Sequence, residues 1–270
     1  MKKILLVGCG HMGSTLLKAW INIKSIKISI VDPKNHSYLK KKHKKKIIVY
    51  KNNREIKKLK DYNIIVFAVK PQIAKKVVNQ YKFANQKNTL FLSIMAGKRI
   101  SFFEKNLFKP LQIIRAMPNM PALVNYGMTC LNSNKFTSQA NKVLASKLFD
   151  KVGKTIWLKN ENHLDKVTAI SGSGPGYFFL FIEHLLSESL KLGLNKKIVK
   201  LLVYQTALGS INLLLSNDKS AKELRKNIAI QGGTTEAAIN TFEKNNNFKK
   251  LVNQALKAAY FRSKFLSKNN

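Results

Sequence analysis

The sequence predicts an α/β fold in its first part and an all-helical fold in the rest, and three observations carry that prediction. Short apolar runs alternate with helically spaced segments up to about residue 160, the pattern of a parallel sheet with crossover helices. A glycine triplet follows the first apolar run. Beyond that point the strand-like runs stop and only helical spacing continues.

Taken in order, "KILLVG" reads as a buried strand and "HMGSTLLKAWINI" as a helix. "KISIVD", "NIIVFAVKP", "TLFLSIMAG" and "LQIIRAMPN" read as further strands, and "VGKTIWL" as a last edge strand. "GYFFLFIEHLLSESLKLG" reads as a largely buried helix closed by Gly193, and "NKKIVKLLVYQTALGSINLLLS" as a second. The segment "AAINTFEKNNNFKKLVNQALKAAYFRSKFLS" is helical with a break at "EKNNN". We therefore expect residues 1–160 to form one domain and residues 161–270 a helical one. So apolar a helical half needs a partner to cover it, which predicts an oligomer.

The chain has 270 residues, is 45% hydrophobic and carries a net charge of +36. Such composition supports a packed core and excludes a disordered chain. Nucleic-acid binding is the obvious reading of the charge. However, the lysines are scattered, arginine is scarce, and abundant asparagine and isoleucine point to compositional drift, so no nucleic-acid partner is expected. The densest run, "LKKKHKKK", reads as a solvated surface. The apolar runs fall short of a membrane span and no secretory leader is read at the start. Two cysteines without a CxxC pair imply no metal site and a reducing, cytoplasmic setting.

"VGCGHMGSTLL" places Gly8, Gly10 and Gly13 in GxGxxG spacing between a strand and a helix. The first glycine permits the tight turn, the second lets backbone approach a pyrophosphate, and the third packs helix on strand. His11 is either a phosphate contact or a plain loop residue. Asp32 ends the second strand roughly twenty residues on, where an acid accepts from a ribose 2′-OH. Its bland alternative is a turn-starting Asp-Pro pair. Asp32 favours NAD and the nearby Lys34 and Lys40–Lys46 favour a 2′-phosphate, so NADPH and NADH both stay open. "AVKPQ" and "SIMAG" fall at strand ends, where ligands bind in such sheets. "RAMPNMPALVNYGMT" reads as a rigid turn around Asn119.

Late in the chain, "IQGGTTEAA" sets Gly232 and Gly233 before Thr234 and Thr235, either of which could cap a helix. "SGSGPGYFF" reads as a small-residue loop before a helix. A helix start built from glycine and threonine holds an anion without a charged side chain. Reduction of a carbonyl calls for a proton donor, whereas a protonated imine accepts hydride and leaves a neutral amine. The residue types therefore fit imine reduction.

In the order "GCGHMG", "AVKPQ", "SIMAG", "IRAMPNMPALVNYGMT", "SGSGPGYFFLFIEHL" and "IQGGTTEAAINTFE", the chain resembles the pyrroline-5-carboxylate reductase family along essentially its whole length. The resemblance implies a Rossmann-like dinucleotide-binding domain, a helical dimerisation domain, and reduction of 1-pyrroline-5-carboxylate to L-proline by NADPH or NADH. It implies that Gly232, Gly233 and Thr234 offer N–H groups to the substrate carboxylate, with Ser173 nearby, and that Thr235 is the catalytic residue, hydrogen-bonding the ring nitrogen. Gly8, Gly10, His11, Met12 and Gly13 would hold the cofactor with Asp32, Pro33 and Asn53. Ala68, Val69, Lys70 and Pro71 would line it, as would Ala96 and Gly97, with Asn119 near the nicotinamide. Members form homodimers, often arranged as decamers, with the active site at the dimer interface. Three positions depart from the family: Gln231 for proline, Met120 for a small polar residue, and Gly176 for alanine. The rival reading is a β-hydroxyacid dehydrogenase, whose catalytic lysine would sit on the helix Tyr177–Leu190, yet no lysine occurs before Lys191. A nucleotide- or nucleic-acid-associated protein without catalysis is the reading from another class.

Overall fold

The computed structural model describes residues 1–43, 46–84, 88–108 and 110–268. Contacts divide the chain into two compact units, Met1–Ser173 with Ala259–Asn270, and Gly174–Ala258.

The first unit runs β1 (Lys2–Val7), α1 (His11–Trp20), β2 (Ile26–Val31), α2 (His36–Lys42), β3 (Ile48–Tyr50), β4 (Ile64–Phe67), α3 (Ala74–Val78), β5 (Leu90–Ser93), α4 (Ile100–Leu107), β6 (Gln112–Met117), β7 (Gly127–Ser133), α5 (Gln139–Phe149), β8 (Gly153–Trp157) and α6 (His163–Val167). One sheet holds the strands in the order β3-β2-β1-β4-β5-β6-β7-β8. The run of β1 is apolar without alternation because both faces are covered. Ile4 and Leu6 enter one core cluster with Ile64, Val66 and Trp20, while Leu5 and Val7 enter the other with Ile65, Phe67 and Phe91. Phe67 anchors the second cluster, with the rings of Tyr81, Phe91 and Phe103 at 5.6, 6.2 and 5.9 Å.

The sheet departs from an all-parallel expectation at one pair. Strand β7 runs antiparallel to β6, and β8 parallel to β7. The residues between β6 and β7 are too few for a crossover helix, so the chain turns back on itself. A short 3₁₀ turn at Met120–Val124 and a left-handed Asn125 (φ 64°) make that reversal. Strand β8 is the edge strand read from "VGKTIWL". In β7, the Thr129 hydroxyl is buried with no hydrogen-bond partner among the described residues. Thr129→Val keeps the shape and removes that orphan, so we expect about 1 kcal/mol of added stability in urea titration. A loss of stability would show the hydroxyl to be satisfied.

Between α6 and α7 (Gly174–Leu190) the expected small-residue loop is replaced by a π-helical turn at Thr168–Gly172, and Ser173 continues it. Gly174 and Pro175 already lie inside α7, where proline needs no N–H partner.

The second unit continues with α8 (Lys196–Leu215), α9 (Ala221–Ile228), α10 (Thr234–Glu243) and the first part of α11 (Asn247–Lys268), whose last turns belong to the first unit. Asn245 and Asn246, both at positive φ, make the break before α11. Helix α9, unread in the sequence, is polar and starts with a capping box in which Ser220 and Glu223 bond each other's backbone. The Ser220 bonds hold the Glu223 carboxyl below its ordinary range. Helices α7 and α8 pack together, yet successive residues Phe178, Phe179, Leu180 and Phe181 stay exposed. An α-helix that is bare and apolar on consecutive positions shows such residues on more than one face. Helix α8 also corrects the expectation that every apolar run falls short of a membrane span: by length and composition alone it could cross one. Gln205, Thr206, Ser210 and Asn212 interrupt it.

Candidate active site

The turn from β1 into α1 builds the first part of the site. Gly8 has φ 92°, and a Cβ there would lie 2.7 Å from the Ala68 carbonyl oxygen and from Val69 Cγ1. A Cβ on Gly13 would lie 2.6 Å from the Gly8 oxygen. Both positions are closed by backbone, so both need glycine. At Gly10, the N-cap of α1, a Cβ would meet nothing within 4 Å. Gly10 is thus free of packing demands, and its open face lies beside the N–H groups that start α1. Gly10→Ala is expected to leave folding within about 1 kcal/mol. It should still weaken nicotinamide dinucleotide binding at least tenfold in calorimetry, and unchanged affinity would remove the turn from the cofactor site.

A cleft of about 660 Å³ opens on this turn and brings together Gly10, His11, Met12, Ala68, Val69 and Lys70. Lys42 and His43 come from the basic run whose lysines were expected to attract a 2′-phosphate, and Ile94 from "SIMAG"; Lys18, Asn35 and Tyr38 are walls that were not foreseen. Among the described residues lining it there is no carboxylate, so the cleft suits an anion. Partial burial, then Lys42 and Lys46, hold the His43 pKa below its usual range. A second groove of about 570 Å³ shares Lys18, Lys42 and His43 and adds Lys41 and Lys46. Here the lysines do gather. Lys44 and Lys45 of the same run lie outside the described residues. Burial, then Asp32, push the Cys9 thiol up to about 12, so it is a packing group and not a nucleophile.

Asp32 is placed otherwise than the spacing suggests. It is 6% exposed, and both carboxylate oxygens are occupied. Oδ2 accepts from the Cys9 N–H (2.7 Å) and Asn35 Nδ2 (3.2 Å). Oδ1 accepts from the Lys34 and Asn35 N–H groups (2.9 and 2.8 Å). A carboxylate offers about four acceptor sites, so none is left for a ribose hydroxyl. Asp32 fastens the glycine turn to the end of β2, and Pro33 opens the turn that follows it. The Asp-Pro reading of a turn starter is the one that fits.

The remaining cofactor candidates lie apart from the lining of this cleft. Pro71 opens a 3₁₀ turn after β4, and Asn53 opens another after β3. Ala96 is half-buried. Gly97, at φ 73°, sits where a Cβ would lie 3.1 Å from the Leu266 carbonyl oxygen, so close packing already demands glycine there. Asn119 is buried: its Nδ2 donates to the Ser171 carbonyl (3.0 Å) and its Oδ1 accepts from the Met128 N–H (2.8 Å). It braces the reversal between β6 and β7. Ser173 is half-buried and its N–H donates to the Thr168 carbonyl. No cluster of three or more His, Cys, Asp or Glu is placed to hold a metal among the described residues.

In the second unit, the segment before α10 forms two consecutive turns. Ala229 (φ −85°, ψ 71°) makes an inverse γ-turn, with the Ile230 N–H donating to the Ile228 carbonyl. The Gly233 N–H then donates to the Ile230 carbonyl (3.0 Å), closing a β-turn with Gly232 at φ 77°. The glycine pair therefore does make a turn, and Gly233 itself is the N-cap, with no side-chain cap from either threonine. The Gly232 N–H donates to Glu236 Oε2 (2.7 Å). Two of the three N–H groups expected to face a substrate carboxylate are thus engaged within the chain. Those of Thr234, Thr235 and Glu236, the first turn of α10, remain unpaired by helix geometry. Thr235 is half-buried and Thr234 exposed.

Residues 161–266 match the family model described as pyrroline-5-carboxylate reductase dimerisation, and residues 3–97 match the one described as NADP oxidoreductase, coenzyme F420-dependent. A pyrroline-5-carboxylate reductase of Pseudomonas aeruginosa is 37% identical over 264 residues, covering 97% of this chain and 95% of that protein. The chain belongs to the pyrroline-5-carboxylate reductase family. Solved structures agree. A Plasmodium falciparum pyrroline carboxylate reductase with NADP bound aligns with a TM-score of 0.86 at 33% identity, over 98% of both chains. A Coxiella burnetii pyrroline-5-carboxylate reductase aligns with a TM-score of 0.86 at 34% identity, again over 98% of both.

Against the family pattern, Gly176 has open space where alanine's Cβ would stand, and Met120 is exposed. Gln231 occupies the second position of the turn before α10, the position that favours proline.

Proposed function

We propose that this chain reduces 1-pyrroline-5-carboxylate to L-proline with NADPH or NADH. The observation that carries this reading, in a member of this family, is the glycine turn. Gly8 and Gly13 are closed by backbone, while Gly10 is open toward the start of α1 and the cation-lined cleft. The reduced nicotinamide supplies a hydride to the imine carbon. The chain's own part is to hold and orient. Gly10, His11 and Met12 present backbone to the pyrophosphate, and Lys70 and Lys42 add positive charge. At α10, the free N–H groups of the first turn hold the substrate carboxylate, and Thr235 Oγ1 hydrogen-bonds the ring nitrogen. No side-chain acid is needed, because the protonated imine becomes a neutral amine on taking hydride. A β-hydroxyacid dehydrogenase reading lacks its lysine, since α7 contains none.

The working form is a homodimer in the cytoplasm, the unit from which a decamer would be built. The bare apolar faces of α7 and α8 support association, and the two buried free thiols fit a reducing compartment. Light scattering should give at least twice the 30.6 kDa chain mass. Mixing the protein with substrate and either cofactor should consume reduced nicotinamide, and failure with both cofactors in folded oligomer sinks the reading. Thr235→Ala should lose roughly 1–3 kcal/mol of transition-state stabilisation, read as kcat/KM. Unchanged kcat/KM would take Thr235 out of the reaction.

A further inference from the structure

We propose that Glu236 is a positioning residue, holding the Ile230–Gly233 turn in its substrate-binding form and supplying the constraint that Gln231 lacks. The inference rests on the reading of α10 as the substrate-holding helix start. The turn is of type II. Its closing bond runs from the Gly233 N–H to the Ile230 carbonyl, Gly232 has φ 77°, and Gln231 is not among the positive-φ residues. Proline is favoured at the second position because its ring fixes the φ that the turn requires. Gln231 is exposed and its N–H makes no hydrogen bond among the described residues, so the residue adds no constraint of its own.

Glu236 supplies one from the other side. It is the third residue of α10, the position from which an acid reaches back over a helix start. The usual partner, the N-cap N–H, is not available, because Gly233 has given it to Ile230. The carboxylate takes the next amide back, with Oε2 accepting from Gly232 at 2.7 Å. This bond joins the turn to the helix, and it leaves the N–H groups of Thr234, Thr235 and Glu236 for a ligand. A bond to an ionised acceptor is stronger than a neutral one, so a single contact suffices to order a short glycine turn.

The same carboxylate also brings negative charge to the helix end that would hold an anion. The two effects have opposite signs, and substitution separates them. If Glu236 orders the turn, E236A raises KM for 1-pyrroline-5-carboxylate roughly fivefold, the equivalent of one net hydrogen bond, while kcat stays within about twofold. E236Q keeps a carbonyl acceptor and recovers most of that loss. Adding Q231P to E236A restores KM, because the ring then fixes the turn that the carboxylate held. A lower KM in E236A or E236Q would mark Glu236 as a competing charge and overturn the proposal, as would failure of Q231P to rescue. Amide exchange at Gly233, followed by NMR on the folded oligomer, reads turn order without any turnover. It should quicken in E236A and slow again in Q231P/E236A. If no imine reduction occurs at all, the functional reading fails while exchange still judges the turn; unchanged exchange in E236A refutes the role of Glu236 whatever the activity.

Discussion

Asp32→Ala is expected to weaken binding of NADH and of NADPH alike, by tenfold or more, and to cost about 3 kcal/mol of folding stability. The carboxylate accepts four hydrogen bonds, from Cys9, Lys34 and two groups of Asn35. The Cys9 N–H is buried and would be left unpaired, and the glycine turn would lose its tether to the end of β2. Asp32→Asn does not repair this. One amide oxygen serves two of the four donors, and the NH₂ group meets the other two, donor against donor. Calorimetry with both cofactors separates this role from ribose reading. A residue that reads the 2′-OH would, when removed, harm NADH and spare or improve NADPH. A residue that fastens the turn harms both equally. Selective loss of NADH binding would return Asp32 to the ribose.

Asp165→Ala is the second large effect, with an expected loss of about 3–5 kcal/mol in chemical denaturation. Asp165 is buried in α6, and its Oδ1 accepts from Ser263 Oγ at 3.0 Å. Its Oδ2 accepts from Ser267 Oγ at 3.0 Å and pairs with Arg99 Nη2 at 3.3 Å. Ser263 and Ser267 lie on the last turns of α11 and are themselves buried. Removing the carboxylate strands both hydroxyls and half-frees an arginine whose other nitrogen bonds Asn162 at 2.7 Å. The last turns of α11 should then exchange amide hydrogens faster, before any global unfolding. Glu161 nearby is a separate post, since Oε1 accepts from the Ile100 N–H at 2.7 Å and from Arg115 at 2.6 Å. It should hold α4 in place in the Asp165 variant. A stability change below about 1 kcal/mol would show the hub to be replaceable by water.

Much of the fold was legible because the strong patterns were local. The runs Ile4–Val7 in β1, Ile64–Phe67 in β4 and Leu90–Leu92 in β5 are apolar at every position and buried, as expected of strands covered on both faces. The glycine triplet carried separate demands in its spacing: Gly8 makes the tight turn and Gly13 the close packing, while Gly10 stands open. Strands β3 and β7 escaped reading for local reasons too. Strand β3 is three residues among lysines, and β7, GMTCLNS, carries neither an alternating pattern nor a continuous apolar run. Helix α9 announced itself through the Ser220–Glu223 pair, a signal that its polarity obscured.

By itself, then, the sequence determined the α/β-then-helical plan and the glycine turn, because these rest on periodicity and on residues close together in the chain, and its ordered motifs carried the likeness to the family. The tertiary structure alone decided which polar groups were already spent. Asp32 stands at the spacing of a ribose reader, yet its four acceptor sites are filled by neighbours folded over it. Gly232 and Gly233 stand in a sequence expected to bind an anion, yet their N–H groups meet Glu236 and close a turn. A hydrogen-bonding group has a small fixed capacity, and only the fold shows how much of it remains for a ligand.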